Sequence, residues 1–263
     1  MAFTVKNGDV SLYCEKDGAG ENLLLIHGSI CDSSYFAGAK EYLKRNYTVI
    51  TYDRRGYTRS PYKLGGDYTM ATQASDAAAV IEACGGSALV VGCSAGGVIA
   101  LELARRYPKL VKKLFLHVPP IAVTDGHREE FFAWGKKLRE YADAKKLAKA
   151  LSCFVSAIGG ADPRGVKRSI EEQKRDLDTL PALLYGELDH IINYLPDETK
   201  KIALEMPCTV AMGENDTEGL FHQTAPTIAE MLDAELLHVP GYHNFAHDLP
   251  YDFAAAVTGV MSI

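Results

Sequence analysis

The segment ALVVGCSAGG (residues 88–97) joins an apolar run to a glycine-rich turn that places a cysteine and a serine side by side. The run ALVV is continuously apolar, which is typical of a strand buried on both faces of a parallel sheet. The residues that follow, GVIALELARRYP, have the spacing of a helix that stops before a proline. This segment therefore predicts a strand, a tight turn and a helix, with a nucleophilic side chain at the turn.

Ser94 is the predicted apex of that turn. Gly92 and Gly96 lie two residues before and after it, which completes the pattern G-x-S-x-G between a strand and a helix. Residues at these two positions pass close to neighbouring backbone, so glycine suits both. Cys93 lacks glycines at the corresponding positions, and we expect its side chain to face the core. The helix that follows directs backbone N–H groups at the same point.

The rest of the chain continues the alternation of strands and helices. We predict an α/β fold with a mainly parallel central β-sheet flanked by helices. The predicted strands are an N-terminal hairpin and buried runs in NLLLIHG, YTVITYD, KLFLHVPP, CTVAMG and AELLHVP.

A helical insertion interrupts this alternation after the strand that ends near Pro119. No comparable strand pattern occurs in residues 121–205, so residues 1–120 and 206–263 are the predicted core and 121–205 a helical cap. Two predicted helices, REEFFAWGKKLREY and AKKLAKALSCFV, each carry an apolar face, and two more are expected, through Leu177 and then from Leu184 to Leu195. A cap there would cover the crevice at the carboxyl ends of the strands. The alternative is a helical decoration that only stabilises the fold.

Composition limits the classes of function. The chain has 263 residues, 47% hydrophobic and 24% charged, with a formal net charge of −6. This charge argues against a nucleic-acid partner or an anionic membrane and leaves a small-molecule substrate, with the oligomeric state open. Six cysteines form neither a C-x-x-C pair nor a zinc-type cluster, so we expect reduced thiols in the cytoplasm and no metal. We find no signal peptide, membrane span or dinucleotide fingerprint and expect no cofactor.

A serine nucleophile requires a base and an acid. His243 lies in a loop after the last predicted strand and is the predicted base. Asp216 follows the strand CTVAMG and is the predicted acid, in preference to Glu214, which lies closer to the strand end. The resulting order Ser–Asp–His along the chain is that of one class of serine hydrolases.

The other histidines receive structural assignments. His27 precedes a turn glycine and is predicted to brace the loop, and His247 to be structural. His117 and His238 fall inside predicted strands, and we expect both to be packed in the core.

Two backbone N–H groups are candidates for the oxyanion hole, those of Ala95 and Ser29. Ser29 follows a glycine, and an ordinary glycine turn is the alternative interpretation. Phe131, Trp134 and His222 are candidate substrate contacts. At helical spacing, aromatic residues such as the first two are more often part of a core.

Five motifs, in the same order along the chain, resemble the α/β-hydrolase superfamily in its lid-bearing serine-hydrolase branch. The resemblance implies Ser94 as nucleophile, His243 as base and Asp216 as acid, with Ser29 and Ala95 as oxyanion donors. Thr58 departs from the family pattern, because a second glycine is usual there. The motifs are LLLIHGS, YDRRGYTRS, VVGCSAGG, VAMGEND and PGYHNFAHDLP.

The expected activity is hydrolysis of a small or medium carboxylic ester or lactone through an acyl-enzyme on Ser94. The same triad also serves carbon–carbon bond hydrolysis and perhydrolysis. A ligand-binding receptor with little turnover is the alternative from another class.

Overall fold

The computed structural model describes residues 1–195, 201–217 and 219–262. Within these ranges the strands are β1 (Ala2–Asn7), β2 (Val10–Gly18), β3 (Glu21–Ile26), β4 (Tyr47–Tyr52), β5 (Ala88–Cys93), β6 (Val111–His117), β7 (Cys208–Gly213) and β8 (Glu235–Val239). They form one sheet in the order β1-β2-β4-β3-β5-β6-β7-β8. β1 and β2 pair antiparallel, as do β2 and β4, and every pair from β4 to β8 is parallel. The predicted mainly parallel sheet is confirmed.

The strand order reverses between β3 and β5, which are neighbours at the centre of the sheet. At such a point the loops leaving the two strands diverge and leave a crevice at their carboxyl ends. All residues of β4 and β5 are buried, which explains why their sequences are continuously apolar. The crevice is therefore the expected place for a ligand.

Helices cover both faces of the sheet. α2 (Met70–Ala83), α3 (Ala95–Arg106) and α8 (Thr224–Leu232) pack on one face, and α1 (Ala37–Leu43), α9 (Phe245–Asp248) and α10 (Pro250–Met261) on the other. Two short 3-10 helices, Ser33–Phe36 and Pro108–Leu110, complete the connections. No helix in the described parts of the chain is both long and apolar enough to cross a membrane.

The segment between β6 and β7 is helical, as predicted. It contains α4 (Asp125–Asp143), α5 (Leu147–Ala157), α6 (Ile170–Ala182) and α7 (Leu188–Ile192). The two helices expected after residue 169 are joined directly by a π-helical turn, Leu183–Glu187. Residues 196–200 of the predicted insertion lie outside the described residues.

His238 is exposed, so its predicted place in the core is wrong. It lies on β8, the last strand of the sheet, where one edge is unpaired and one face meets solvent. His117, on β6 between two other strands, is fully buried as predicted.

Candidate active site

Ser94 occupies a tight turn between β5 and α3. Its φ of 54° and ψ of −127° lie in a region that non-glycine residues rarely adopt, at a cost of about 1–3 kcal/mol. Its N–H donates to the carbonyl of His117 at 2.9 Å, and its own carbonyl accepts from Gly97 at 2.7 Å. These bonds hold Ser94 at the carboxyl end of the sheet, with its side chain only partly buried.

The two flanking glycines make this turn possible. A Cβ atom on Gly92 would lie 2.4 Å from the carbonyl oxygen of Gly96, and one on Gly96 would lie 2.1 Å from the carbonyl oxygen of Ile26. Both contacts are with backbone, which cannot move aside. The spacing read from the sequence therefore reflects how closely α3 packs against β3 and β5.

Cys93 is buried beside the sheet, and part of it borders the same cavity as Ser94. Burial raises the pKa of its thiol far above the ordinary value. A thiol held in its neutral form is a poor nucleophile, which favours Ser94 over Cys93 as the candidate nucleophile of this turn.

Asp216 and His243 meet at the carboxyl ends of β7 and β8. The Asp216 carboxylate accepts the backbone N–H of His243 at 3.2 Å, through Oδ1. The other buried oxygen, Oδ2, and the buried Nδ1 of the His243 ring have no hydrogen-bond partner among the described residues. Glu214, the alternative acid, is exposed to solvent.

Burial opposes charge on both groups. It raises the pKa of Asp216 to about 7, against smaller lowering effects of hydrogen bonds from the His243 and Gly213 backbone. It lowers the pKa of His243 to about 4. His243 is therefore a neutral imidazole near pH 7, which is the form that accepts a proton.

The loop after β3 lies directly against Ser94. A Cβ atom on Gly28 would lie 3.0 Å from Cβ and 3.5 Å from Oγ of Ser94, so a side chain there would crowd Ser94. The next residue is Ser29, and Ala95 begins α3. Within the described residues no backbone carbonyl accepts the N–H of either Ser29 or Ala95.

A buried carboxylate from the helical segment reaches this loop. Glu187, in the π-helical turn, accepts the hydroxyl of Ser29 at 2.7 Å and forms an ion pair with Arg54, Nη1 to Oε2, at 2.6 Å. Both side chains of the pair are at most 1% exposed. Tyr57 also donates to Glu187, and Gln73 does so at 3.3 Å.

Arg54 connects this carboxylate to the backbone of the loop. Its Nη2 donates to the carbonyl of Gly28 at 2.8 Å, and its backbone N–H donates to Nε2 of His27 at 3.0 Å. The predicted bracing role of His27 is seen in this bond. The buried network of Glu187, Arg54, Tyr57, Gln73 and Ser29 therefore ties the helical segment to the loop beside Ser94.

Ser94 and His243 border one cavity of about 470 Å³. This volume is within the range usual for small-molecule sites. One wall is the loop from Gly28 to Cys31, and the other comes from α5, α6 and the residues between them. Most of the lining is apolar, and three polar side chains from the helical segment interrupt it, Arg168, Gln173 and Asp176.

The family model for the alpha/beta hydrolase fold matches residues 21–154, a range that includes β3, β5 and the turn at Ser94. The chain belongs to the α/β-hydrolase family. It is a hydrolytic enzyme of this fold, as the five sequence motifs predict.

Relatives of this hydrolase include other hydrolases and an esterase. It is 28% identical over 254 residues to the hydrolase YraK of Bacillus subtilis, covering 92% of this chain and 90% of that one. It is 27% identical over 247 residues to the pimeloyl-[acyl-carrier protein] methyl ester esterase of Nitrosospira multiformis, covering 89% and 91%. A solved hydrolase from Pseudomonas aeruginosa PA01 shares the fold with a TM-score of 0.82 at 21% identity, covering 100% and 98% of the two chains.

The predicted substrate contacts of the hydrolase do not line the cavity that Ser94 and His243 border. Phe131 is fully buried, and its ring packs edge-on against His127 and Phe221. Trp134 packs against Phe131 and Phe221. His222 borders a narrow crevice beside the acid and base, and its Nδ1 lies 2.6 Å from the carbonyl of Gly219. The two aromatic residues thus form the core of the helical segment.

The network around Glu187 was not foreseen from the sequence of the hydrolase. Arg54 and Tyr57 fall in a recognised motif, but Glu187 is 133 residues from Arg54 and in no motif. The neighbouring Gly186 packs against Tyr68, because a Cβ atom there would lie 3.0 Å from the ring, but this closeness is visible only in the structure. Among the described residues no group of His, Cys, Asp or Glu side chains is arranged to hold a metal ion.

Proposed function

We propose that this enzyme hydrolyses a small or medium carboxylic ester or lactone through an acyl-enzyme on Ser94. The observation that carries the proposal is the strained, partly exposed Ser94 in the same cavity as a neutral His243. Ester cleavage is the activity named for the Nitrosospira multiformis relative, which supports an ester over a carbon–carbon bond.

In the proposed reaction the Ser94 oxygen attacks the carbonyl carbon while His243 takes the hydroxyl proton. The oxyanion is held by the N–H groups of Ser29 and Ala95, which no backbone carbonyl accepts in the described residues. His243 then protonates the leaving alcohol, and water releases the acid by the same steps. Asp216 stabilises the imidazolium that forms on His243. In this step Nδ1–H of the ring donates to Oδ2 of Asp216, and neither atom has another hydrogen-bond partner among the described residues.

We also propose that residues 121–205 act as a cap over this reaction. The supporting observation is that α5 and α6 supply one wall of the cavity that holds Ser94. A closed cavity strengthens the electrostatic contacts to an oxyanion by excluding water. The cytoplasm is the proposed compartment, because all six cysteines carry free thiols.

The test is labelling with a fluorophosphonate, located by mass spectrometry. We expect the adduct on Ser94, its absence in Ser94→Ala, and its persistence in Cys93→Ala, a matched control that removes the neighbouring nucleophile. An ester and lactone panel would follow with the same variants. A folded protein that gives no adduct would contradict the proposal and favour a ligand-binding receptor.

A further inference from the structure

The cavity beside Ser94 has one polar region on an otherwise apolar wall. α5 and the residue after it contribute Leu151, Phe154, Val155 and Ile158, all apolar, whereas residues 168–177 contribute Arg168, Gln173 and Asp176 beside the apolar Leu177. We call Arg168, Gln173 and Asp176 the polar triplet. Asp176 is buried, Arg168 is partly buried, and Gln173 is exposed and donates to the carbonyl of Arg168 at 3.2 Å. In apolar pockets a few polar groups of this kind fix the orientation of a ligand.

The polar triplet is built around an ion pair with spare hydrogen-bonding capacity. Nη2 of Arg168 donates to Oδ1 of Asp176 at 2.7 Å, and the two side chains are 30% and 9% exposed. The buried Nε of Arg168 has no partner in the residues that the structure describes. That nitrogen has almost no accessible surface, so the atoms left for a ligand are Nη1 of Arg168 and Oδ2 of Asp176, neither of which forms a hydrogen bond among the described residues.

The charges of the polar triplet select the kind of ligand. Arg168 and Asp176 neutralise each other, and Gln173 is uncharged, so a free carboxylate or ammonium group gains little there. A neutral group that both donates and accepts is matched by one guanidinium N–H and one carboxylate oxygen. A secondary amide has this pair of groups, an N–H and a C=O, on adjacent atoms.

We propose that Arg168, Gln173 and Asp176 bind a secondary amide in the acyl part of the substrate, at a distance from the ester bond. The substrates are then esters of acids whose apolar chain carries an amide. This inference rests on the proposed esterase function and adds the substrate class to it. The apolar residues of α5 contact the methylenes between the ester and the amide.

The test compares two series of p-nitrophenyl esters. In one series the acyl chain carries an acetamido group after methylene spacers of increasing length, and in the other it is an alkyl chain of the same number of heavy atoms. We expect one amide ester to exceed its alkyl match at least about tenfold in kcat/KM, the value of one good hydrogen bond. The assay is run at pH 8, because burial raises the pKa of Asp176 only to about 6.

Asp176→Asn should change which ester the enzyme prefers, an effect that is not expected if Asp176 has only a structural role. It leaves Arg168 as an unpaired cation, so an ester with a terminal carboxylate should now exceed the amide ester. Asp178→Asn is the matched control, since it removes the same charge from an exposed position of α6. It should keep the preference for the amide. If Asp176→Asn does not fold, Arg168→Gln gives the complementary result, a gain for a terminal ammonium group.

p-Nitrophenyl acetate, whose acyl part carries neither an alkyl chain nor an amide, separates the two proposals. If the acetate is hydrolysed but no amide ester exceeds its alkyl match, the inference is overturned and the esterase function stands. It is equally overturned if the amide preference survives unchanged in Asp176→Asn. If Ser94 turns over neither acetate nor any ester, the proposed function fails, and this inference fails with it.

Discussion

Replacing Glu187 by glutamine should lower both the stability and the kcat of this enzyme, whereas a control variant should lower its stability alone. The variant keeps the shape of the side chain but removes the charge that pairs with Arg54, which is 1% exposed. Leaving a buried charge unpaired costs about 3–5 kcal/mol. At about 2–4 °C per kcal/mol for a chain of this size, we expect a fall in the melting temperature of about 6–20 °C.

The catalytic effect follows from the hydrogen bond between Glu187 and the Ser29 hydroxyl, 2.7 Å long. Glutamine can still accept from Ser29 through its oxygen, but its NH2 group takes the place of Oε2, which accepts from Arg54 and Gln73. Arg54, which also donates to the carbonyl of Gly28, is then displaced, and the Ser29 N–H loses its fixed direction. Complete loss of one oxyanion donor lowers kcat by about 10²–10³-fold, which sets the upper limit. We expect Glu187→Gln to lower kcat on p-nitrophenyl acetate at least about tenfold, measured well below its melting temperature.

Asp76→Asn is the matched control for this experiment. Asp76 pairs with Arg55 at 2.6 Å, and both side chains are at most 3% exposed, but neither borders the cavity. We expect Asp76→Asn to lose about as much stability as Glu187→Gln and to keep the kcat of the wild type. The reasoning is refuted if Glu187→Gln keeps the wild-type kcat, or if Asp76→Asn loses as much activity.

Three further changes have defined outcomes. Because the pKa of Asp216 is raised to about 7 while that of His243 is lowered to about 4, His243 is already neutral when Asp216 ionises. The kcat/KM of the wild type should therefore rise as the pH increases through about 7, and Asp216→Asn should not show this rise. A variant with the same pH profile as the wild type would contradict the assignment of Asp216 as the acid. Gly96→Ala should prevent the turn from forming, since the new Cβ would lie 2.1 Å from a carbonyl oxygen of β3, and its circular dichroism melt should show the loss. Gly126→Ala, with nothing within 4 Å, should melt at or above the wild-type temperature. Thr58→Gly should raise stability by about 1 kcal/mol in urea unfolding, because Thr58 has a φ of 31°; a lower midpoint would argue against strain there.

The relatives and the cavity address different parts of the function. The family and its relatives establish a hydrolase, and one relative at 27% identity is named as an esterase. Half of the residues that line the cavity beside Ser94 come from the helical segment between β6 and β7. The amide-ester series therefore tests a substrate preference that membership of the α/β-hydrolase family does not by itself predict.

The sequence by itself determined the sheet and the turn at Ser94, whereas the role of Ser94 as nucleophile stays a prediction. Continuous apolar runs predict strands buried on both faces, and Gly92 and Gly96 predict a turn too tight for any side chain, because these signals lie within a few neighbouring residues. The preference for Asp216 over Glu214 also agrees with the burial of the first and the exposure of the second. That Asp216 serves as the acid stays a prediction.

Only the tertiary structure decided which distant side chains meet. The bond between Ser29 and Glu187 spans 158 residues, and no local pattern marks either residue as a partner of the other. His238 has the apolar neighbours of a core residue, yet it is exposed because β8 happens to be the edge of the sheet. Local sequence sets backbone conformation through short-range sterics and polarity, whereas burial and ion pairing depend on which element packs alongside, and this is a property of the whole fold.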